Sequence, residues 1–319
     1  MIRITSPSRL HLGLIDLNAE FGRVDGGAGI TLDYPCIRIV AEKSDTLEVH
    51  DGSHLKNKMK QAADSVLKGR GGICIHVEED VLSHVGLGSG TQAALCAAMA
   101  ACRLYGLEYT VRELAEMAGR GGTSGIGVAG FEHGGFIVDA GHRFSRKKSF
   151  SPSAASREPP APVIFRHDFP DWDIILAIPR IKGAHDKEEM NIFSRECPIP
   201  LAEVQAVSHT ILMQMIPAIM EKDIEAFGRA VNHLQTTGFK KREIAIQSPV
   251  VSELMETMIE HGAEGAGMSS FGPAVYAISD RRTNSERIAK KAGQVLNEGI
   301  GGDVMITRGN NSGAVIEEI

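Results

Sequence analysis

The sequence lacks the features that mark several classes of protein. It holds five cysteines in 319 residues and no C-x-x-C pair, whereas disulfide-stabilised secreted domains and most zinc sites use closely spaced cysteines. No run of 18 uncharged apolar residues occurs. The segment MIRITSPSRLHLGLIDLN at 1–18 does not combine a basic start with the apolar stretch of a signal peptide. We therefore expect reduced thiols in a soluble, cytoplasmic protein that has no membrane partner.

An excess of charge of one sign is also missing. The chain has 34 Lys and Arg against 40 Asp and Glu, a formal net charge of −6, spread along its length. Without a basic domain or tail, nucleic acid is not an expected partner, and a small charged metabolite is. The length and the 43% content of hydrophobic residues allow one large domain or two medium ones, and we favour two.

Hydrophobic patterning divides the chain into two halves. In the first, short strands such as IRITSPSRLHLGL, AGITL, CIRIVAE and ICIHVEE are separated by glycine turns and by helices at 55–68 and 110–118. This layout predicts a layered α+β fold rather than alternating βαβ units. In the second half, the order strand, helices, strand, strand, helix, strand matches the ferredoxin-like pattern. We predict two domains, 1–170 and 171–319.

The segment SRKKSFSPSAASREPPAP at 145–162 is rich in serine, proline and charge and has no periodicity. Such composition predicts a mobile loop. The basic cluster at its start is expected to be solvated, with closure over an anionic substrate as the alternative. The cluster consists of Arg143, Arg146, Lys147 and Lys148.

Three glycines open an apolar helix in HVGLGSGTQAALCAAMAACRLYG at 84–106. A P-loop would need a lysine after the glycines, and a dinucleotide fingerprint would need a third glycine where Thr91 stands. Small residues still let backbone N–H groups approach a ligand, and the helix presents its positive N-terminus. The turn thus predicts a phosphate site, with a tight packing turn as the alternative, and Ser89 or Thr91 is expected to cap a buried helix. Its candidate phosphate-binding residues are Gly86, Leu87, Gly88, Ser89, Gly90 and Thr91.

Two further stretches carry candidate site residues. GAGMSSFGP at 265–273 is a glycine and serine turn that fits either a hairpin or a phosphate contact through Gly267, Ser269 and Ser270. The run at 6–27 concentrates charge beside glycines, which indicates either a site or surface ion pairs. Its charged or titratable residues are Arg9, His11, Asp16, Glu20, Arg23 and Asp25.

Together these motifs resemble the GHMP kinase superfamily of galactokinase, homoserine kinase, mevalonate kinase and phosphomevalonate kinase. Pro7 to Gly13, GLGSGTQAA and GAGMSSFGP match its three motifs in order. The resemblance implies a ribosomal-protein-like N-terminal α/β domain and a ferredoxin-like C-terminal domain. Many of these kinases carry S-G-x-D with a catalytic aspartate, but TSGIGV places Gly127 there. Homoserine kinases also manage without that aspartate.

Within the superfamily, the chain is most similar to the β-ribofuranosylaminobenzene 5′-phosphate synthase family. The matching segments are SPSRLHLGLIDLNAEFGRVDGGAGITLDYP, HVGLGSGTQAALCAA, GRGGTSGIGVAGFEHGGFIVDAGH and WDIILAIP. The resemblance implies that phosphoribosyl pyrophosphate condenses with 4-aminobenzoate, or 4-hydroxybenzoate, with loss of CO2 and pyrophosphate, in methanopterin biosynthesis. It also implies Mg²⁺ and a homodimer. The alternatives are an ATP-dependent small-molecule kinase and a non-catalytic metabolite-binding protein.

The charged first motif supplies the predicted catalytic residues Asp16, Arg23 and Asp25. Arg9 and Arg23 are candidates for binding a phosphate or the benzoate carboxylate, because a guanidinium engages either one in a bidentate manner. The two aspartates are candidates for holding Mg²⁺, orienting an arginine or stabilising ring charge, and these roles stay open. His11 and His84 are expected to be ordinary hydrogen-bonded histidines, with acid catalysis as the alternative.

Overall fold

The computed structural model describes residues 1–50, 54–152, 155–156, 158–181, 186–280 and 284–319. The strands are β1 (Ile2–Asp16), β2 (Arg23–Ser44), β3 (Leu47–His50), β4 (Gly72–Glu79), β5 (Phe136–Asp139), β6 (His142–Arg143), β7 (Val163–His167), β8 (Asp173–Pro179), β9 (Gly265–Met268), β10 (Val275–Ser279), β11 (Gly302–Arg308) and β12 (Val315–Glu318). The helices are α1 (Lys56–Leu67), α2 (Ser89–Leu104), α3 (Val111–Met117), α4 (Ile126–His133), α5 (Phe144–Lys147), α6 (Asp186–Glu196), α7 (Leu201–Thr210), α8 (Ile216–Glu221), α9 (Ile224–Gln235), α10 (Gly238–Ala245), α11 (Pro249–Glu260) and α12 (Ser285–Glu298). A π-helical turn, Ile211–Met215, joins α7 to α8.

The first half is built on one large sheet in the order β12-β1-β2-β4-β3, with β5 and β6 paired to β2 and β7 paired to β5. The segments AGITL and CIRIVAE, predicted as separate strands, both belong to β2. Pro7 pairs with Cys36 and Ser8 with Leu32, so residues 33–35 bulge out of the ladder. The bulge accommodates Pro35, which has no N–H to donate, and the strand continues beyond it.

Helices α1 to α4 pack together; α2 and α4 contact β1 and β2, and α1 contacts β3. As predicted, α2 is buried, with twelve of its 16 residues inaccessible to solvent. Helix α4 was not predicted, because glycine has a low helix propensity. In the structure these glycines serve packing: a Cβ on Gly130 would lie 2.8 Å from Cγ2 of Thr31, and one on Gly127 would lie 3.3 Å from Cγ2 of Thr91.

The second sheet has the order β11-β8-β10-β9 and is antiparallel throughout. This order is that of the split βαβ, ferredoxin-like arrangement, so the fold prediction is confirmed. Ile175 and Ala177 face α11 and α12, whereas Ile174 and Leu176 join the core of the first half. The boundary near residue 171 stays a prediction, and β12 at the end of the chain returns to pair with β1.

The expectation that the basic cluster of 145–162 is solvated was wrong for Lys147. Its side chain is 2% exposed and makes an ion pair with Asp25, because α5 turns it inward against β2 and β6. The five cysteines carry free thiols. In the described part of the chain, no helix is long and apolar enough to cross a membrane.

Candidate active site

A cavity of about 200 Å³ lies where the two halves meet. Its walls come from β1, the glycine turn before α2, the loop between α3 and α4, and, from the second half, α6, α10 and the turn after β9. All three motifs that the sequence singled out therefore contribute to one cavity.

The glycine turn is shaped by contacts that exclude a side chain. Gly86 and Gly88 have φ values of +88° and +78°. A Cβ on Gly86 would overlap the Ser269 carbonyl oxygen, and one on Gly88 would lie 3.1 Å from Cγ of Arg9. No side chain caps α2, so the expected capping by Ser89 or Thr91 was wrong. The uncapped N-terminus of α2 leaves its N–H groups for another acceptor.

Three cations surround this turn. Arg9 donates from Nη1 to the Gly86 carbonyl oxygen at 2.6 Å, and Arg120 donates from Nε and Nη2 to Oγ1 of Thr91 at 3.1 and 2.9 Å. Nζ of Lys58 would lie 2.9 Å from a Cβ on Gly90, and Nη2 of Arg120 would lie 3.7 Å from it. With the helix N-terminus, they give this part of the cavity lining a positive charge that would suit an anion.

Sequence reasoning missed Lys58 and Arg120. They come from α1 and from the loop after α3, and only the tertiary fold brings them to the glycine turn. The glycines around Arg120, in GRGGTSG, were the one signal available.

Burial, and then the charge of Arg120, lower the pKa of Arg9 to about 10, so its guanidinium stays charged at neutral pH.

The predicted third motif ties β1 to the glycine turn. Oγ of Ser269 donates to the Gly86 carbonyl oxygen at 2.7 Å and accepts from the N–H of His11 at 3.0 Å. The N–H of Ser270 donates to the His11 carbonyl oxygen at 2.9 Å. Ser270 lines the cavity, whereas Gly267 lies in β9 against the side chain of Gln235. Their binding of phosphate stays a prediction.

Part of the cavity lining is apolar. Leu14, Phe193 and Phe271 form this part and belong to one hydrophobic cluster with Phe239. The ring centroids of Phe193 and Phe239 are 4.7 Å apart, and those of Phe193 and Phe271 are 6.2 Å apart. Such a lining suits an aromatic ligand. Sequence reasoning could not predict this aromatic cluster, because its phenylalanines lie far apart in the chain.

The three predicted catalytic residues do not line the cavity. Asp16 accepts from the N–H groups of Asn18 and Ala19 at 2.8 and 2.9 Å in the turn after β1. Arg23 donates to the carbonyl oxygens of Ala140 and Gly141, both at 2.8 Å. Both residues thus hold backbone turns together. Their catalytic roles stay predictions.

Asp25 lies in a buried ionic cluster behind the cavity wall. Its carboxylate pairs with Nδ1 of His142 at 2.7 Å and with Nζ of Lys147 at 2.7 and 2.9 Å. Lys147 also donates to Oγ1 of Thr123 at 3.3 Å, and Thr123 lines the cavity. Asp25 therefore reaches the cavity through Lys147 and Thr123, and its own oxygens are occupied.

The cavity wall has no side chain at Gly127. Its carbonyl oxygen accepts from Nε2 of Gln92 at 2.8 Å. The carboxylates that do line the cavity are Glu189 and Glu243. Glu243 is paired with Lys240 at 2.5 Å in a contact where both side chains are 2% exposed. Burial raises the pKa of Glu243 and lowers that of Lys240.

Two family models match the chain. The model described as the GHMP kinases N terminal domain matches residues 57–135, and that described as GHMP kinases C terminal matches residues 215–298. The first match contains the glycine turn and the second contains the turn after β9. A solved structure of homoserine kinase from Cytophaga hutchinsonii has a TM-score of 0.71 at 18% identity, covering 99% of this chain and 97% of that chain.

Two curated relatives match along nearly their entire length. The β-ribofuranosylphenol 5′-phosphate synthase of Methanothermobacter thermautotrophicus is 48% identical, covering 98% of this chain and 97% of its own. The enzyme of the same name from Archaeoglobus fulgidus is 45% identical, covering 99% and 100%. Together with the fold and the three motifs, these matches place the chain in the β-ribofuranosylphenol 5′-phosphate synthase family of the GHMP kinase superfamily, a family of enzymes.

Proposed function

We propose that this enzyme joins C1 of phosphoribosyl pyrophosphate to the carboxylate-bearing ring carbon of a para-substituted benzoate, releasing CO2 and pyrophosphate. The relatives are named for a phenol product, which supports 4-hydroxybenzoate as the acceptor. The amino counterpart, 4-aminobenzoate, would give the aminobenzene product by the same steps. The reaction is thus a decarboxylating phosphoribosyl transfer.

The observation that carries this proposal is a single cavity lined by both cationic and aromatic side chains. Arg9, Lys58 and Arg120 with the N-terminus of α2 suit a pyrophosphate, while Phe193 and Phe271 suit a benzoate ring. A phosphate donor and an aromatic acceptor bound in this one cavity would lie next to each other. Holding both reactants in this geometry turns a bimolecular step into an effectively unimolecular one.

The acceptor itself accounts for the ring charge. Attack on C1 of the ribose leaves a positive charge on the ring, which the para oxygen or nitrogen shares. Loss of CO2 then restores aromaticity, so the reaction needs no pyridoxal or pyruvoyl electron sink. What the protein contributes is orientation and fixed positive charge where pyrophosphate departs.

Mg²⁺ is part of the proposal as the partner of the pyrophosphate. Within the described residues, no group of three or more His, Cys, Asp or Glu side chains could hold a metal ion. Magnesium is commonly bound through one or two carboxylates plus substrate phosphates. Glu189 on the cavity wall would supply such a carboxylate, whereas Asp16 and Asp25 do not line the cavity. The ion would neutralise charge on the leaving group.

An ATP-dependent kinase is the second candidate, supported by the likeness to homoserine kinase. Gly127 stands where many of these kinases carry the catalytic aspartate, which counts against a kinase, although homoserine kinases also lack that aspartate. Parallel reactions with phosphoribosyl pyrophosphate or ATP, each with 4-hydroxybenzoate, 4-aminobenzoate or homoserine, separate the two. A riboside phosphate formed from phosphoribosyl pyrophosphate alone supports the synthase. Phosphorylation of homoserine by ATP, without riboside formation, would establish the kinase instead.

The cationic part of the cavity lining is tested by Lys58→Gln and Arg120→Gln. Each is expected to raise KM for phosphoribosyl pyrophosphate by about tenfold, the loss of roughly one charge-assisted hydrogen bond. Lys60→Gln is the matched control, because Lys60 lies on the same helix but not on the cavity wall. Equal KM values in all three variants would remove this cluster from the donor site.

The remaining predictions are tested separately. Replacing Asp16, Arg23 or Asp25 by alanine is expected to lower kcat/KM at least about tenfold, or about 1.4 kcal/mol. Unchanged kinetics in a folded variant would remove that residue from the reaction. We also propose a homodimer, which sedimentation of the purified protein would identify by mass.

A further inference from the structure

Helix α10 places a carboxylate beside the turn that carries one of the cavity's aromatic rings. Nζ of Lys240 donates to the Ser270 carbonyl oxygen, and Nε2 of Gln247, just after the helix, donates to the Phe271 carbonyl oxygen, both at 2.8 Å. Glu243 lies between these two anchors, one helical turn after Lys240. Glu243 and Phe271 both line the cavity.

The two carboxylate oxygens of Glu243 have different surroundings. Oε2 is fully buried and lies 2.5 Å from Nζ of Lys240. Oε1, in contrast, is not fully buried, and it accepts no hydrogen bond from a described residue. Because Glu243 lines the cavity and is otherwise enclosed, with 2% of its surface exposed, Oε1 is the atom that it can offer to a ligand there.

The side chains around Glu243 indicate what kind of ligand group would meet this oxygen. Phe239, one turn earlier on α10, packs against Phe193 at 4.7 Å and against Phe271 at 6.1 Å between ring centroids. These rings suit an aromatic ligand, whereas a carboxylate oxygen only accepts hydrogen bonds and repels anions. An aromatic ring with an O–H or N–H substituent fits both requirements.

We propose that Oε1 of Glu243 accepts a hydrogen bond from the para hydroxyl or amino group of the acceptor benzoate. This inference rests on the proposed function. Both 4-hydroxybenzoate and 4-aminobenzoate carry a donor at the para position, and their own carboxylates are repelled by Glu243. The contact thus orients the ring with its reacting carbon away from Glu243 and selects benzoates with a para donor.

The same contact gives the phenolic proton a place to go. As the ring carbon forms its bond to C1 and pyrophosphate leaves with the electron pair, positive charge reaches the para oxygen. Transfer of its proton to Oε1 leaves an uncharged dienone that still bears the carboxylate. The bond to the carboxylate then breaks, its electron pair restores the aromatic ring, and CO2 departs. The para oxygen takes the proton back, so Glu243 returns to its starting state.

The burial of Glu243 suits it to this role. Burial raises the pKa of its carboxyl, although the charges of Lys240 and Arg9 oppose the shift. A carboxylate with a raised pKa is a stronger base and takes a proton more readily. With 4-aminobenzoate, the same carboxylate stabilises the charged nitrogen without taking a proton.

The catalytic step is tested by Glu243→Gln, which keeps the shape of the side chain and an acceptor oxygen but removes the base. Its kcat with 4-hydroxybenzoate is expected to fall about a hundredfold, with KM for phosphoribosyl pyrophosphate unchanged. Because this variant leaves Lys240 without its ionic partner, Lys240→Met combined with Glu243→Met is the second variant, in which no buried charge is left unpaired. Glu256→Gln, at an exposed site on α11, is the control for loss of a carboxylate.

The contact itself is tested by binding, without turnover. In titration calorimetry with Mg²⁺ and pyrophosphate present, wild type is expected to bind 4-hydroxybenzoate at least about tenfold more tightly than 4-methylbenzoate, which has a similar size but no donor. The double variant is expected to lose this preference, and Glu256→Gln is expected to keep it. A purely structural role for Glu243 would lower the melting temperature and leave the preference unchanged.

The outcomes separate this inference from the proposed function. If wild type makes no riboside from either benzoate, the proposed function fails, and the proton transfer fails with it. If wild type is active but the folded double variant keeps its preference for 4-hydroxybenzoate, only the role of Glu243 is overturned. Equal binding of the two ligands by wild type would overturn it as well. An unchanged kcat in Glu243→Gln would exclude the proton transfer.

Discussion

The carboxylate of Asp25 is held from two sides inside the protein. It pairs with Lys147 and His142, and the side chains of Asp25 and Lys147 are 0% and 2% exposed. Removing one partner of a buried ion pair leaves the other charge uncompensated, at a cost of about 3–5 kcal/mol. Asp25→Asn is therefore expected to lower the free energy of unfolding in urea by about that amount.

Asp16→Asn serves as the comparison, because Asp16 makes only local bonds to two backbone N–H groups. The free energy of unfolding of Asp16→Asn is expected to be lower than that of wild type by about 1 kcal/mol. If the two variants unfolded at the same urea concentration, Asp25 would not hold a buried charge. The pairing with Lys147 would then be excluded.

Asp139 gives the protein a pH-dependent contribution to stability. Burial raises the pKa of its carboxyl from the ordinary 3.8 to about 6, even though the N–H groups of Gly125 and Gly141 donate to it. The folded state thus holds this proton more tightly than the unfolded state. Stability contributed by Asp139 is fully present below about pH 4 and is lost as pH rises through about 6.

The free energy of unfolding of wild type is expected to fall by about 3 kcal/mol over this range, from the difference between the folded and the ordinary pKa of Asp139. Measuring the unfolding free energy of wild type and Asp139→Asn from pH 4 to pH 7 isolates it. The free energy of unfolding of wild type should fall relative to that of Asp139→Asn as the pH rises. A difference between the two proteins that does not change with pH would contradict the raised pKa.

The turn before α2 requires glycine at position 86 for two reasons: its backbone conformation and its close contact with a neighbouring carbonyl group. Gly86 has φ +88° and abuts the Ser269 carbonyl, whereas Gly69 has φ +80° and nothing within 4 Å of a Cβ. Gly69→Ala should cost only the strain of a left-handed alanine, about 1–2 kcal/mol. Gly86→Ala should cost more and also weaken binding of phosphoribosyl pyrophosphate. Equal melting temperatures and equal KM values would show that the turn tolerates a side chain.

Local signals predicted some elements well. The helix predicted at 110–118 is confirmed as α3, and Thr110 forms a capping box with Glu113 at its start. Helix α4 was missed because glycine predicts turns when packing partners are unknown. The same limit applies to the candidate site. The glycine turn is a local feature of the sequence, but only the tertiary fold brings Lys58, Arg120 and Phe193 to the cavity.

The two halves of the molecule share one hydrophobic core. Phe227 on α9 contacts Phe136 of the first sheet at 6.0 Å between ring centroids and Trp172 beside β8 at 5.6 Å. Because Phe227 is fully buried, Phe227→Ala should lower the free energy of unfolding by about 3–5 kcal/mol. Calorimetry should still give one transition at a lower temperature. Phe21→Ala, at a residue that is 76% exposed, is the control.

A second calorimetric transition in wild type would contradict a shared core. The sequence predicts two domains, but it could not reveal that the two share one hydrophobic core. Residues 174 and 176 alternate with 175 and 177 along β8, and only the fold assigns each set to a face. The return of β12 to β1 likewise depends on the assembled sheet.

The central claim is that one cavity brings a pyrophosphate donor and a benzoate together for decarboxylating transfer. The most direct measurement incubates the protein with Mg²⁺, phosphoribosyl pyrophosphate and benzoate labelled in its carboxyl group. We expect labelled CO2, pyrophosphate and a carbon-linked riboside phosphate in equal amounts, identified by radiometry and mass spectrometry. Release of no CO2 by folded protein, or a product that keeps the labelled carboxyl group, would contradict the account.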